Sequence, residues 1–155
     1  ARLDQSNNLP LSELAHQLKT SAEQVYGSDL NRQFAGSGAL GHALLSLNSV
    51  QSQLAELPPK QRQQAINDLR RQLGYSDTAI ERMAQQDQAR EEKWQNGESY
   101  TAKREALEQR LTGEQLEAAL SQLREEHFGI AAPTIEREEE QGFYRFERPR
   151  KYGMN

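Results

Sequence analysis

A short stretch of this chain occurs twice. Leu57-Pro-Pro-Lys-Gln-Arg-Gln-Gln-Ala-Ile-Asn-Asp-Leu-Arg70 aligns with Leu111-Thr-Gly-Glu-Gln-Leu-Glu-Ala-Ala-Leu-Ser-Gln-Leu-Arg124, an offset of 54 residues. After one inserted residue, Gly74 meets Gly129, and Ile80-Glu81-Arg82 meets Ile135-Glu136-Arg137. Amphipathic spacing accounts for the shared leucines. It demands neither the matching glycine nor the Ile-Glu-Arg triplet. Each copy reads as a helix, a glycine turn and a second helix. Such a unit cannot cover its own apolar stripe, so a neighbouring unit or a partner must do so.

The remaining apolar residues follow the same helical period. Leu11, Leu14, Leu18, Ala22 and Val25 share one face of a helix that starts near Pro10 and ends around Tyr26-Gly27-Ser28-Asp29. Gly36-Ser-Gly38 and Gly41 read as a hinge. Leu40, Leu44, Leu47, Val50 and Leu54 then predict one helix that stops at Pro58-Pro59. A third helix begins at that proline pair, where a missing N–H costs nothing, and carries Ile66, Leu69 and Leu73. Ser76 is a suitable N-cap for a long fourth helix with Ile80, Met83, Ala84 and Trp94, interrupted around Asn96-Gly97. Tyr100, Leu107 and Leu111 continue the spacing. A fifth helix runs from Thr112 to Phe128, and a short acidic sixth from Pro133 to Gln141. No run alternates β-branched residues with period two, so strands are not expected. The expected fold is all-α: an extended array of about six amphipathic helices with an internal helix-turn-helix repeat and an extended C-terminal tail. Its divisions are an N-terminal helical segment (1–56), a repeat region (57–142, in units 57–110 and 111–142) and an aromatic, basic tail (143–155).

Composition narrows the function classes. Only 35% of the residues are hydrophobic and the mean hydropathy is -0.95, which leaves little apolar surface for a self-sufficient core. The net charge of -4, with both signs interspersed, opposes a general nucleic-acid binder, which would carry a basic stripe. No apolar run approaches the roughly 18 residues of a membrane span, and a water-soluble chain is expected. It begins Ala-Arg-Leu-Asp without an initiator Met, which suits a processed chain and a trimmed one equally. Cysteine is absent, which removes disulfides, thiolate zinc sites and cysteine nucleophiles together.

Constellations for catalysis are missing as well. His16, His42 and His127 lie too far apart in sequence for a helical metal pair, and each reads as structural. There is no Gly-x-Ser-x-Gly elbow and no phosphate-binding loop. Asp29-Leu-Asn31 opens like a calcium loop. Phe34 then stands where its turn needs Gly, and Leu40 where Glu should clamp the ion. Glu136 and Glu138-Glu139-Glu140 form an acidic run of the kind that is usually a solvated face, with calcium the weaker reading. No catalytic residue, metal or cofactor is expected, calcium being the one cofactor kept in view.

The aromatic residues are more informative. Trp94 and Tyr100 stand in a strongly charged stretch, where Trp94 either anchors helix packing or projects toward a partner. The tail Phe143-Tyr144-Arg145-Phe146-Glu147-Arg148-Pro149-Arg150-Lys151-Tyr152 mixes aromatics with arginine, the types enriched at protein interfaces. It can dock on a partner, pack back on its own helices or meet a nucleic acid or membrane; the negative charge disfavours the last. Trp94, Tyr100, Phe143, Tyr144, Phe146, Arg148 and Tyr152 are the expected partner contacts.

From Leu57 to Glu140 the chain resembles the lipase chaperones, the foldases of secreted bacterial lipases. The resemblance lies in Gln61-Arg-Gln-Gln-Ala-Ile-Asn-Asp-Leu-Arg70, Glu81-Arg-Met-Ala-Gln-Gln-Asp87 and the spacing Asp87-x6-Trp94-x5-Tyr100. It continues through Leu111-Thr-Gly-Glu-Gln-Leu-Glu-Ala-Ala-Leu and Leu123-Arg-Glu-Glu-His-Phe128. The family's Arg-x-x-Phe-Asp-Tyr segment is absent. Arg32-Gln-Phe34, followed by Gly38-Ala-Leu-Gly41, echoes it without the Asp-Tyr pair. The chain is also shorter than a typical lipase foldase. It is most similar to the short accessory proteins of secreted bacterial phospholipase C, which have been linked to calcium. The resemblance implies a non-enzymatic chaperone that wraps a lipolytic client, phospholipase C ahead of triacylglycerol lipase. It also implies action in the bacterial periplasm or outside the cell, as part of a hetero-oligomer. The alternative is a self-associating helical scaffold with no folding role.

Overall fold

Helix boundaries in this protein are set by a few local hydrogen bonds. The computed structural model describes residues 9–26 and 39–154. Gly27, Asp29, Asn31 and the residues 32–38, on which a helix end, the calcium-loop comparison, part of the hinge and the family motif were read, lie outside them. Among the described residues there are seven α-helices and no strand: α1 (Leu11–Tyr26), α2 (Ala39–Leu45), α3 (Asn48–Ala55), α4 (Pro59–Gln72), α5 (Asp77–Arg110), α6 (Gly113–Phe128) and α7 (Ala132–Glu140). The fold is all-α, as the apolar spacing predicts.

The turn between α4 and α5 shows how the sequence enforces this. Gly74 takes φ 98°, its N–H donates to the Arg71 carbonyl, and the Tyr75 N–H reaches back to the Arg70 carbonyl. That pair of bonds is the Schellman ending, which satisfies two otherwise orphaned carbonyls and requires a left-handed residue. Ser76 then caps α5, its Oγ accepting the Ala79 N–H at 3.1 Å. The end of α7 repeats the device. Gly142 has φ 80°, and the Gly142 and Phe143 N–H groups donate to Glu139 and Glu138.

Two predicted boundaries are corrected. The single helix expected from Leu40 to Leu54 is two, α2 and α3, because the chain leaves the helix at Leu47 (φ -71°, ψ 131°). Next to that break, the Ser46 N–H and Oγ both donate to the His42 carbonyl, at 3.0 and 2.7 Å, closing the last turn of α2. Conversely, the interruption expected at Asn96-Gly97 does not occur. α5 runs unbroken for 34 residues, and it ends at Arg110, so Leu111 lies beyond it.

The chain divides inside α5 rather than at a repeat boundary. One compact unit comprises Ala1–Gln88 with Arg150–Asn155, the other Ala89–Pro149. The first, called here the N-unit, buries Leu14 and Ala15 of α1, Leu44 and Leu45 of α2, Val50 and Leu54 of α3, and Ile66 and Leu69 of α4 in one cluster. Polar groups complete it. Arg62 donates from Nε to the Leu54 carbonyl at 3.0 Å and from Nη2 to the Leu57 carbonyl at 2.9 Å, capping the end of α3 from the next helix. Arg70 and Asp87 form a buried ion pair at 2.6 Å, and Gln63 donates to the same carboxylate. The last residues are integral to this unit. Tyr152 lies under the guanidiniums of Arg62 and Arg150, 3.9 and 4.6 Å from its ring centre. Gly153, at φ 77°, sits where a Cβ would meet Leu45 Cδ1 at 2.9 Å.

The second unit, the C-unit, has a smaller apolar centre of Tyr100, Leu123 and Ile135, with Leu107, Phe128 and Phe146 packed around it. The repeat read from the sequence is visible in burial. Ile66 and Leu120, Leu69 and Leu123, Ile80 and Ile135 are all buried. Arg70 and Arg124 are likewise both buried, each paired with a carboxylate of the following helix.

Candidate binding site

The geometry of the C-unit starts from one face of α5. Trp94, Gly97, Tyr100, Thr101 and Arg104 recur at three- and four-residue spacing, which puts them on adjoining turns of one side. Gly97 has no side chain to hold the tail away. A Cβ there would sit 2.2 Å from two atoms of the Phe146 ring, so the ring lies directly on the helix backbone. Phe146 meets Trp94 edge-on, with centroids 5.5 Å apart, and stacks on Phe128 at 5.8 Å and 3°. Phe128 in turn meets the edge of Tyr100 at 4.9 Å. These offset and edge-to-face geometries are the favoured ones for aromatic pairs. A short 3₁₀ turn, Arg145–Glu147, delivers Phe146 to this place.

Beneath the rings lies a charged network. The Tyr100 hydroxyl donates to Glu139 Oε2 at 2.6 Å. Arg124 donates to the other oxygen of Glu139 at 2.9 and 3.2 Å. Arg104 reaches Glu139 at 3.4 Å and Glu147 at 2.9 Å. Burial, then the neighbouring Glu139 carboxylate, pushes the Tyr100 hydroxyl up to about 12. For both arginines burial disfavours the charge, and Glu139 together with Tyr100, joined at Arg104 by Glu147, more than restores it, holding each guanidinium above its usual value. The network thus satisfies its own charges. His127 tightens the same region from α6: its Nδ1 faces the Asn96 amide oxygen at 2.9 Å, and the Asn96 amide donates to the His127 carbonyl at 2.8 Å. Burial, and next the Lys103 ammonium, lower the His127 pKa from its ordinary value.

The expected contact residues therefore fall into two groups. Tyr100, at 1% exposure, is a core residue, held inward by its ring neighbours and by Glu139. Phe146 and Tyr152, also expected to meet a partner, pack on the chain itself; the first fills the space above Gly97 and the second pairs with Arg62. The tail is correspondingly not an extended, free segment. Trp94 is half-buried beside Phe146. Phe143 and Tyr144 remain partly exposed, at 38% and 39%, and Arg148 is exposed with its guanidinium 5.4 Å from the Phe143 ring centre.

Sequence reasoning missed three features. Ile130, in the 3₁₀ turn Gly129–Ala131 between α6 and α7, is fully exposed. It follows the repeat glycine, and that register was the available signal. Glu139 belongs to a run read as a solvated face, yet it is mostly buried and takes two arginines. Gly97, read as a helix breaker, is a seat for a ring. Among the described residues no group of three or more His, Asp or Glu is placed to hold a metal ion, and no helix is long and apolar enough to cross a membrane. Compared with protein-family models, curated proteins and solved structures, the chain finds no match in any of the three.

Proposed function

We propose that this chain is an accessory chaperone that binds another polypeptide, a secreted lipolytic enzyme, with phospholipase C ahead of triacylglycerol lipase. The observation that carries the reading is the exposure of Ile130, Phe143 and Tyr144. These are large hydrophobic side chains left outside in a chain with little apolar material to spare. The last two sit beside Arg148 and Arg145, so the edge of the unit combines aromatic and guanidinium groups, the combination that dominates binding energy at protein interfaces. The resemblance of residues 57–140 to the lipase chaperones supplies the client class, and the placement in the periplasm or outside the cell.

The mechanism is preferential association. A protein that binds the native client and not its unfolded chain stabilises the native form by RT ln(1 + [L]/Kd), about 2.7 kcal/mol at a hundredfold excess over Kd. No covalent step is required, and the self-satisfied Tyr100–Glu139–Arg124 network serves to fix the unit's shape. Calcium enters this reading only through the family resemblance.

The test is co-expression of the chain with a secreted phospholipase C and, in parallel, a triacylglycerol lipase. The expected result is a stable complex and a higher yield of active phospholipase C. Equal yields with and without the chain, and no complex on gel filtration, would sink the proposal. A homo-oligomer that ignores both enzymes would instead establish the scaffold alternative.

A further inference from the structure

The two copies of the repeat differ at one telling position. Gly74 and Gly129 correspond, and both have positive φ, 98° and 53°. The residue that follows is Tyr75 in the first copy and Ile130 in the second. Tyr75 packs against the buried cluster of the N-unit. Its hydroxyl accepts the Gly41 N–H at 3.2 Å, and a Cβ on Gly41 would lie 2.7 Å from that oxygen. Helix α2 thus covers Tyr75 by approaching through a residue that has no side chain. Gly41 is a contact point rather than the hinge its glycine neighbours suggested. Ile130 has no such cover. It is fully exposed, and Ala131 and Pro133 beside it are exposed too.

The charge around it is one-sided. Ala89–Pro149 carries fourteen acidic and nine basic residues, net -5, while the rest of the chain is net +1. Glu125, Glu126, Glu136 and Glu140, close to Ile130 in sequence, are exposed, against two exposed cations, Arg137 and Lys103, whose ammonium lies 3.4 Å from His127. A second copy would bring like charges together at this face, which disfavours self-docking.

We infer that Ile130 is the docking point for a helix of a partner polypeptide that presents an apolar stripe with a small residue at the point of closest approach, as α2 presents Gly41 to Tyr75, and basic residues on its flanks. This rests on the reading that the chain binds another protein, and adds the place and the chemistry of the contact.

Methyl NMR tests it directly, because the chain has four isoleucines, at 66, 80, 130 and 135, and three of them are buried. The probe is a synthetic basic peptide of about five helical turns with a Leu/Ala stripe, compared with an acidic peptide bearing the same stripe. The basic peptide should shift the Ile130 δ-methyl and leave the other three in place. Ile130→Asp should weaken binding about tenfold or more with an unchanged melting curve, and Ile130→Val should retain it. No shift, or equal binding of the two peptides, overturns the inference. So does an Ile130 shift that depends on protein concentration without peptide, since a second copy is then the occupant. Peptide binding at Ile130 without capture of the secreted phospholipase C leaves this contact standing and removes the proposed client.

Discussion

The side chain of Gln51 holds the backbone of Tyr152 at both ends of one amide: Nε2 donates to the Tyr152 carbonyl at 3.0 Å, and Oε1 accepts the Tyr152 N–H at 2.8 Å. The same Nε2 also donates to the Leu45 carbonyl at 2.7 Å. One buried glutamine therefore joins residues 101 positions apart. Gln51→Leu leaves these backbone groups unmet, and each unsatisfied buried group costs about 1–3 kcal/mol. Urea unfolding followed by far-ultraviolet circular dichroism should show the lower midpoint, and an unchanged midpoint would count against the contact.

Gly97→Ala sets two effects against each other. Alanine favours the helix by about 1 kcal/mol over glycine. Its Cβ, however, needs space that Phe146 occupies at 2.2 Å, and overpacking costs about 1–3 kcal/mol. A net loss is expected, together with a changed Trp94 emission, since Trp94 is the sole tryptophan and touches Phe146. A stabilised variant with native emission would refute the close seating of the ring.

The Arg70–Asp87 pair is buried on both sides. Removing one charge strands the other, at a cost of about 3–5 kcal/mol, whereas apolar replacement of both is often neutral. Asp87→Asn should therefore be far less stable than Arg70→Met combined with Asp87→Leu. Thermal melts of Arg70→Met, Asp87→Leu and their double variant close the cycle that gives the coupling; additive losses would argue against the pair.

Alkaline pH should loosen the C-unit through Tyr100. An unfolded tyrosine loses its proton near pH 10, while Tyr100 keeps its proton to about 12. The folded state then binds more protons than the unfolded state, so a contribution fully present below pH 10 is lost as pH rises toward 12. Tyr100→Phe should be less stable at neutral pH and show a shallower decline above pH 10. Parallel declines would exclude Tyr100 as the source.

Acid acts through His127 with the opposite sign. Its folded pKa is lowered by burial and by Lys103, so the unfolded state takes up the proton first. Stability should fall as pH drops below about 6.5, the ordinary histidine value. His127→Gln should flatten that limb of the pH profile, as read by Trp94 fluorescence in urea.

Much of this architecture was legible because it follows from local rules. Apolar spacing located the helices, Gly74 and Ser76 marked the turn before α5, and the repeat register aligned Ile80 with Ile135, both of which are buried. The breaks were harder. The Leu40–Leu54 spacing suits one helix or two, and it is the extended backbone at Leu47 that separates them. The site was read least well, because exposure is a tertiary property. Tyr100, Phe146 and Tyr152 have the composition of contact residues and are consumed internally. Ile130 has an ordinary composition and stands outside. Nothing within Glu138-Glu139-Glu140 shows that its middle member takes two guanidiniums, since those arrive from helices that begin 62 and 26 residues earlier in the chain.

The docking of Tyr152 and Gly153 among residues from the first half of the chain has a consequence for synthesis. A ribosome delivers Ala89–Pro149 as one uninterrupted segment, so the C-unit has all its parts before Arg150 is added. The N-unit, although begun first, waits for its closing piece until the nascent polypeptide has grown past both copies of the repeat. Until then the Gln51 amide and the face of Arg62 are open to water, and the order of completion runs opposite to the order of translation.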